Sequence, residues 1–170
     1  TMKKVLLICV ALFSLTFTAL AGDGDTFVNV SGGLMYRKTA TALVSMEFEG
    51  KYHNAWEVYV DMTTAYKKCE IDNTIFCKKT FWDYKTVSFG GAYKPAFKRW
   101  KNANLRARIG ADIGIDEGYS FCASVDLGLE FSYSFKNRMQ LVITQKNDFA
   151  FWTRDNFKNG LLIGLKIPIN

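Results

Sequence analysis

Few residues of this chain have the types and spacing that catalysis or metal binding requires. The 170 residues include a single histidine, His53, which excludes sites built from several histidines. A serine–histidine–carboxylate mechanism needs a histidine placed beside its partners, whereas His53 precedes Asn54 in a predicted turn. No cysteine–histidine group has zinc spacing, and no glycine-rich loop joins a strand to a helix. The sequence therefore predicts a protein that is not an enzyme and holds no metal or other cofactor.

The segment 67–79, KKCEIDNTIFCKK, groups two cysteines with four lysines. Cys69 and Cys77 are close enough in sequence to form a local disulfide in an oxidising compartment. A pair with Cys122 is the alternative, because three cysteines follow the first 21 residues. The four lysines are Lys67, Lys68, Lys78 and Lys79. One interpretation is a cationic contact site for lipid phosphates or for a partner protein. The other, equally favoured, is that their side chains extend to the headgroup layer of a membrane.

The other candidate residues are charged, and they lie on the polar side of alternating segments. In 105–115, apolar residues alternate with Arg106, Arg108 and Asp112, and the segments 55–66 and 121–135 have the same pattern. A period of two is typical of a strand with two unlike faces. Weaker alternation brings the number of predicted strands to eight, adding 27–36, 42–52, 82–93, 138–151 and 160–169.

Eight amphipathic strands of about ten residues predict an all-β fold, an eight-stranded antiparallel up-and-down transmembrane β-barrel. A sheet in a bilayer must close, because every backbone polar group needs a partner there. If the apolar rows face lipid, the polar rows fill a narrow lumen in which charges must be paired. We expect a plug of ion pairs, with a proton or ion path as the alternative. The predicted lumen network is Glu47, Glu49, Glu57, Asp61, Arg106, Arg108, Asp112, Asp126, Glu130, Lys146 and Lys166.

Connections and aromatic residues give the predicted barrel two different ends. Tight turns are expected at 53–54 and 136–137 and a longer one at 95–104, while the outer end carries 37–40, 67–80, 116–120 and 153–158. Aromatic residues at both ends resemble the two interfacial belts of membrane barrels. The outer set is Tyr36, Tyr66, Phe81, Phe121 and Phe151, and the inner set is Phe48, Tyr52, Trp56, Tyr93, Tyr133 and Phe135. A soluble lipocalin-like carrier, with the apolar rows turned inward, alternates equally well.

The first 21 residues predict export. Lys3 and Lys4 precede an apolar run, and Ala19-Leu20-Ala21 is a small-x-small cleavage site. We expect a signal peptide at 1–21 and a barrel at 22–170, located in the outer membrane of a Gram-negative bacterium.

The composition agrees with a folded envelope protein. Hydrophobic residues make up 49% and aromatic residues 15%, which excludes disorder. The net charge is +6, but 22 basic and 16 acidic residues are interleaved, without the basic stripe of a nucleic-acid binder. The expected partners are outer-membrane lipid and other envelope proteins, and no nucleic acid.

Three segments resemble the TraO proteins that conjugative transposons of Bacteroidetes encode. They are 89–117, 127–141, and a C-terminal pattern from Arg138 through Phe151-Trp152 to 160–166. The resemblance implies a small outer-membrane barrel that is a structural or accessory component of a conjugative transfer apparatus. A surface adhesin or receptor barrel that uses the loop 67–80 is the other function class, and the soluble carrier is the third.

Overall fold

The computed structural model describes residues 24–36, 39–50, 52–65, 85–116, 120–152 and 156–169. Nine strands lie in this part of the chain. They are β1 (Thr26–Met35), β2 (Thr39–Glu49), β3 (Ala55–Ala65), β4 (Lys85–Lys94), β5 (Ala96–Arg99), β6 (Ala103–Asp116), β7 (Ser120–Ser134), β8 (Gln140–Phe151) and β9 (Phe157–Pro168). The described part of the chain contains no helix long and apolar enough to span a membrane.

The strands form one antiparallel sheet that closes on itself. The pairing of β1 with β9 and of β4 with β6 joins the sheet into a ring of eight long strands. The short β5 continues the line of β4 beyond Pro95, where the Ala107 amide donates to the Pro95 carbonyl at 3.0 Å. Closure pairs the backbone groups that an open edge would leave free. The predicted eight-stranded up-and-down barrel is confirmed.

The polar rows face the lumen, and the apolar rows face outward. Along the middle of three adjacent strands, Val30, Val44 and Val60 are direct neighbours and are each about half exposed. On the opposite face, Glu47 and Glu130 are fully buried. This orientation is the reverse of the one that the soluble carrier requires, because a lipocalin-like barrel turns its apolar rows inward.

The two tightest turns differ in detail from the prediction of two-residue loops centred on asparagine. The Gly50 amide donates to the Asn54 carbonyl at 2.8 Å, and the His53 amide donates back to the Gly50 carbonyl at 2.9 Å. The loop therefore has three residues, and its left-handed residue is His53 (φ 59°), not asparagine. The β7–β8 loop is built in the same way around Arg138 (φ 66°). A third residue in the left-handed conformation is a common way to close a hairpin.

The longer connection predicted at 95–104 is a strand extension. β5 pairs with the beginning of β6, and the Trp100 amide donates to the Ala103 carbonyl at 2.7 Å to close a tight turn. On its other side β5 pairs with no described strand, and the Ala96 amide donates to the Asn54 side chain at 2.8 Å. The wall of the barrel is therefore longer at this hairpin than on the β3 side. We call this end, with the β2–β3, β5–β6 and β7–β8 turns, the turn end, and the opposite end the loop end.

Candidate functional site

Six strands place the predicted lumen residues together inside the barrel. β2, β3, β6, β7, β8 and β9 each present alternate side chains to the interior, as their period of two requires. All of the predicted residues are at most 7% exposed; they are Glu47, Glu49, Glu57, Asp61, Arg106, Arg108, Asp112, Asp126, Glu130, Lys146 and Lys166.

Two glutamates at the centre of the turn-end half are held between three cations. Lys94 Nζ lies 2.7 Å from Glu47 Oε2 and 2.5 Å from Glu130 Oε2. Lys166 Nζ lies 2.7 Å from Glu47 Oε1 and 2.5 Å from Glu130 Oε1. Arg106 Nη1 is 2.6 Å from Glu47 Oε1. We call these five residues the central ion cluster, and all five are fully buried.

A second group of ion pairs extends the central ion cluster along the lumen. Arg108 Nε lies 3.0 Å from Glu57 Oε2, and its Nη1 contacts Asp126. Glu57 also accepts a hydrogen bond from Ser45 at 2.6 Å. The Arg108 guanidinium lies 4.5 Å from the centre of the Tyr59 ring. Both the charge and the flat face of this guanidinium are therefore used, as cation–π geometry allows.

The loop-end half of the lumen contains more hydroxyl groups and fewer cations. Lys146 contacts Asp61 and lies 3.0 Å from Asp148 Oδ2. Asp112 is held by hydroxyl groups, accepting hydrogen bonds from Tyr59 at 3.0 Å and Ser124 at 2.6 Å. Neutral donors therefore hold Asp112, whereas Asp61 and Asp148 share the cation Lys146.

The cavities between these side chains are small. One of about 20 Å³ lies in the loop-end half beside Asp148, Cys122 and Lys158, and one of about 10 Å³ lies beside Arg108 and Glu130. Such volumes hold about one water molecule each. Among the described residues, no group of histidine, cysteine and carboxylate side chains is arranged to hold a metal ion.

Some lumen residues are missing from the predicted network, and three of them lie at or beyond the predicted strand ends. The predicted strand 82–93 stops one residue before Lys94, although Lys94 continues the inward row. Asp116 and Lys158 fall in predicted connections, and Asp148 lies two residues after Lys146 on the same row. Tyr59 is the inward aromatic residue of β3. Extending each period of two past its apparent end finds Lys94, Asp116 and Lys158, and following the row of Lys146 within 138–151 finds Asp148.

Of the other residues singled out by the sequence, the structure describes His53 and Cys122. His53 lies in the β2–β3 loop, where its Nδ1 contacts Glu49. Cys122 is a buried free cysteine within the described part of the chain. The remaining residues of these predictions lie outside the described residues and stay predictions; they are Cys69, Cys77, Lys67, Lys68, Lys78, Lys79 and the signal peptide 1–21.

The aromatic residues of the two predicted belts lie on the outside of the barrel. At the loop end, the Trp152 ring lies 6.0 Å from that of Phe121 and 6.2 Å from that of Phe151. At the turn end, Trp56 packs against Tyr93 at 4.8 Å between ring centres. Other turn-end members are Phe48, Tyr52, Tyr133 and Phe135, and Tyr36 belongs to the loop end. Tyr66 and Phe81 lie outside the described residues.

The central ion cluster predicts a large stability effect for Lys94→Met. The substitution keeps most of the side-chain volume but leaves Glu47 and Glu130 short of one buried cation. We expect the free energy of unfolding to fall by about 3–5 kcal/mol. Arg138→Met is the matched control, because Arg138 contacts Asp25 in a pair about half exposed, and its loss should cost less than about 1 kcal/mol. Urea unfolding in lipid vesicles, followed by tryptophan fluorescence, measures both; equal losses would contradict the prediction.

The comparisons with known proteins agree on the fold. No family model matches the chain, and no curated protein matches it. Neisserial surface protein A has a similar structure, with a TM-score of 0.57, 15% identity, and coverage of 84% of this chain and 96% of that chain. A designed protein, TMB2.3, gives 0.53 at 14% identity over 88% and 98%. Another designed transmembrane β-barrel gives 0.51 at 11% identity over 86% and 96%. The chain therefore has the fold of small transmembrane β-barrels.

Proposed function

We propose that this protein is a non-catalytic barrel of a bacterial outer membrane that acts through its surfaces. The observation that carries the proposal is the inverted distribution of side chains, with an apolar outer wall around an interior of paired charges. A water-soluble protein of this size rarely exposes a continuous apolar wall. In a bilayer the same wall is the surface that contacts lipid.

The two ends of the barrel support an orientation. Outer-membrane barrels have short periplasmic turns and longer external loops. At the turn end the connections are short, whereas Ala65 and Lys85, the ends of β3 and β4, are joined by a long segment at the loop end. We therefore orient the turn end toward the periplasm and the loop end toward the exterior.

The packed lumen favours a barrel closed by its own side chains over one that contains an open pore. An eight-stranded barrel is just wide enough for its interior side chains to fill it. Here Lys94 and Lys166 both span the distance between Glu47 and Glu130, which lie on β2 and β7. Opening a path would separate these buried ion pairs, and leaving a buried charge without its partner costs several kcal/mol.

The membrane location predicts different effects for two equally exposed positions. Val44, in the middle of β2, is 53% exposed, and Ile169, beyond β9 at the turn end, is 56% exposed. Val44→Lys should lower the free energy of unfolding in vesicles by about 2–4 kcal/mol and Ile169→Lys by about 0–1 kcal/mol. The wild-type chain should fractionate with membranes and shift in gel mobility after boiling. A soluble product, or equal tolerance of both lysines, would contradict the membrane location.

The plug predicts that the folded protein does not conduct. In planar bilayers the wild-type barrel should give no steady single-channel current, because the central ion cluster closes its lumen. Heat-modifiable mobility of the same sample shows that the barrel is folded, and a bilayer without protein gives the baseline. Reproducible unitary currents from the folded sample would refute the plug and favour the ion path.

The specific role that we propose is an accessory component of a conjugative transfer apparatus. Its support is the resemblance of 89–117 and 127–141 to the TraO proteins. Removing the gene from a donor cell that carries the element should lower the transfer frequency at least about tenfold, and the full-length chain should restore it. Unchanged transfer would contradict this role. In that case, loss of surface binding on deleting 70–76 would favour the adhesin barrel.

A further inference from the structure

The β5–β6 hairpin combines an unpaired strand edge with exposed aromatic and basic side chains. β5 pairs with β6 alone, so its other edge has no partner strand in the described part of the chain. Open sheet edges do not occur in the hydrocarbon region of a bilayer, because their polar groups would lack partners. In a membrane-spanning barrel this hairpin must therefore lie outside the hydrocarbon region, and its exposed aromatic residues favour the level of the lipid headgroups.

The aromatic residues of the hairpin continue the outer face of the barrel at this level. Phe97 is 58% exposed and Trp100 is 49% exposed. The Trp100 ring lies 6.4 Å from that of Phe131 on β7. Lys98 Nζ lies 5.9 Å from the centre of the Trp100 ring. A tryptophan at the interface with a lysine beside it is a suitable surface for a lipid headgroup.

A neighbouring turn adds another cation to the hairpin. The Ser134 amide donates to the Asn102 carbonyl at 2.7 Å, which ties the β5–β6 turn to the end of β7. The β7–β8 loop that follows carries Lys136. Besides Arg138, which contacts Asp25, this hairpin and this loop carry four exposed basic residues that we call the cationic rim; they are Lys98, Arg99, Lys101 and Lys136.

The cationic rim has no acidic counterpart on the described surface. Asp25 is the one exposed acidic residue in the part of the chain that the structure describes, and it contacts Arg138. No described residue forms an ion pair with any member of the rim. Four cations that have no carboxylate partner among the described residues, next to a membrane, form a suitable site for an external anion.

We propose that the cationic rim binds the phosphate of anionic phospholipids in the leaflet that surrounds the turn end. The inference rests on the proposed membrane location and adds a lipid partner to it. The apolar wall contacts any acyl chain, whereas Lys98, Lys101 and their neighbours select the charge of the headgroup. Each basic residue close to an anionic surface strengthens binding by about fivefold. We therefore expect at least a fivefold preference for anionic over zwitterionic lipid at this sector.

Tryptophan quenching by brominated lipid tests the preference at a defined position. The chain has four tryptophans, so Trp56→Phe, Trp82→Phe and Trp152→Phe together leave Trp100 as the reporter. The barrel is folded into phosphatidylcholine vesicles that contain a fixed fraction of brominated phosphatidylglycerol or of brominated phosphatidylcholine. Brominated phosphatidylglycerol should quench Trp100 with the higher relative binding constant.

Two charge-matched variants separate a local site from general attraction. The set K98Q, R99Q, K101Q and K136Q removes the rim and should abolish the preference at Trp100. The set K67Q, K68Q, K78Q and K79Q removes the same charge from the segment 67–79 and should leave the preference intact. In a second reporter variant, Trp56 is kept and the other three tryptophans are replaced by phenylalanine. Trp56, on β3 at the same end, should show a smaller preference than Trp100.

The outcomes distinguish this inference from the proposed function. Insertion into vesicles with equal quenching of Trp100 by both lipids overturns the lipid site and leaves the membrane location standing. A preference that survives loss of the cationic rim also overturns it. So does a preference that is lost equally when the four lysines of the segment 67–79 are replaced. Failure of the wild-type chain to insert into any vesicle overturns the membrane location and the lipid site together.

Discussion

The structure depends on the pairing of two buried glutamates with three buried cations. Glu47 and Glu130 stand on opposite parts of the wall, on β2 and β7, and are bridged by Lys94 of β4 and Lys166 of β9. Arg106 of β6 completes the group. Removing such charges from water costs several kcal/mol per ion, and only close pairing offsets that cost. Five strands must therefore keep their register for these buried charges to remain paired.

The apolar wall and the charged lumen follow from the same alternation. A shift of one residue in any strand would turn its charges to the outside and its apolar residues to the lumen. In β7, such a shift would expose Asp126 and Glu130 and bury Leu127 and Leu129. The ion pairs thus enforce the register, and the register in turn gives the barrel the outer surface that lipid requires.

The period of two is sufficient to predict the strands and to place Arg106, Asp126 and Glu130 on their polar rows, whereas the choice of which row faces the lumen needs the aromatic belts and the unequal connections. The period is not sufficient for the strand ends, where the side chains of a strand and of a turn have similar composition. Lys94 illustrates this, since Pro95 follows it directly and marks a turn. The extension through β5 depends on the pairing with β6 and on an irregular register near Phe97, which no local pattern specifies. The identity of each ion pair depends on which strands face each other across the lumen, and this is a property of the closed ring.

The bridges of the central ion cluster also join strands that are far apart in the sequence. Glu47 enters the sheet with β2, but Lys166 arrives with β9 at the far end of the chain. Without β9, Glu47 and Glu130 keep their contacts with Lys94 and Arg106 but each loses an ion pair with Lys166. β9 supplies the third cation, Lys166, which contacts both glutamates. Because β9 also pairs with β1, the strand that closes the ring is the one that completes the ion pairs of both glutamates.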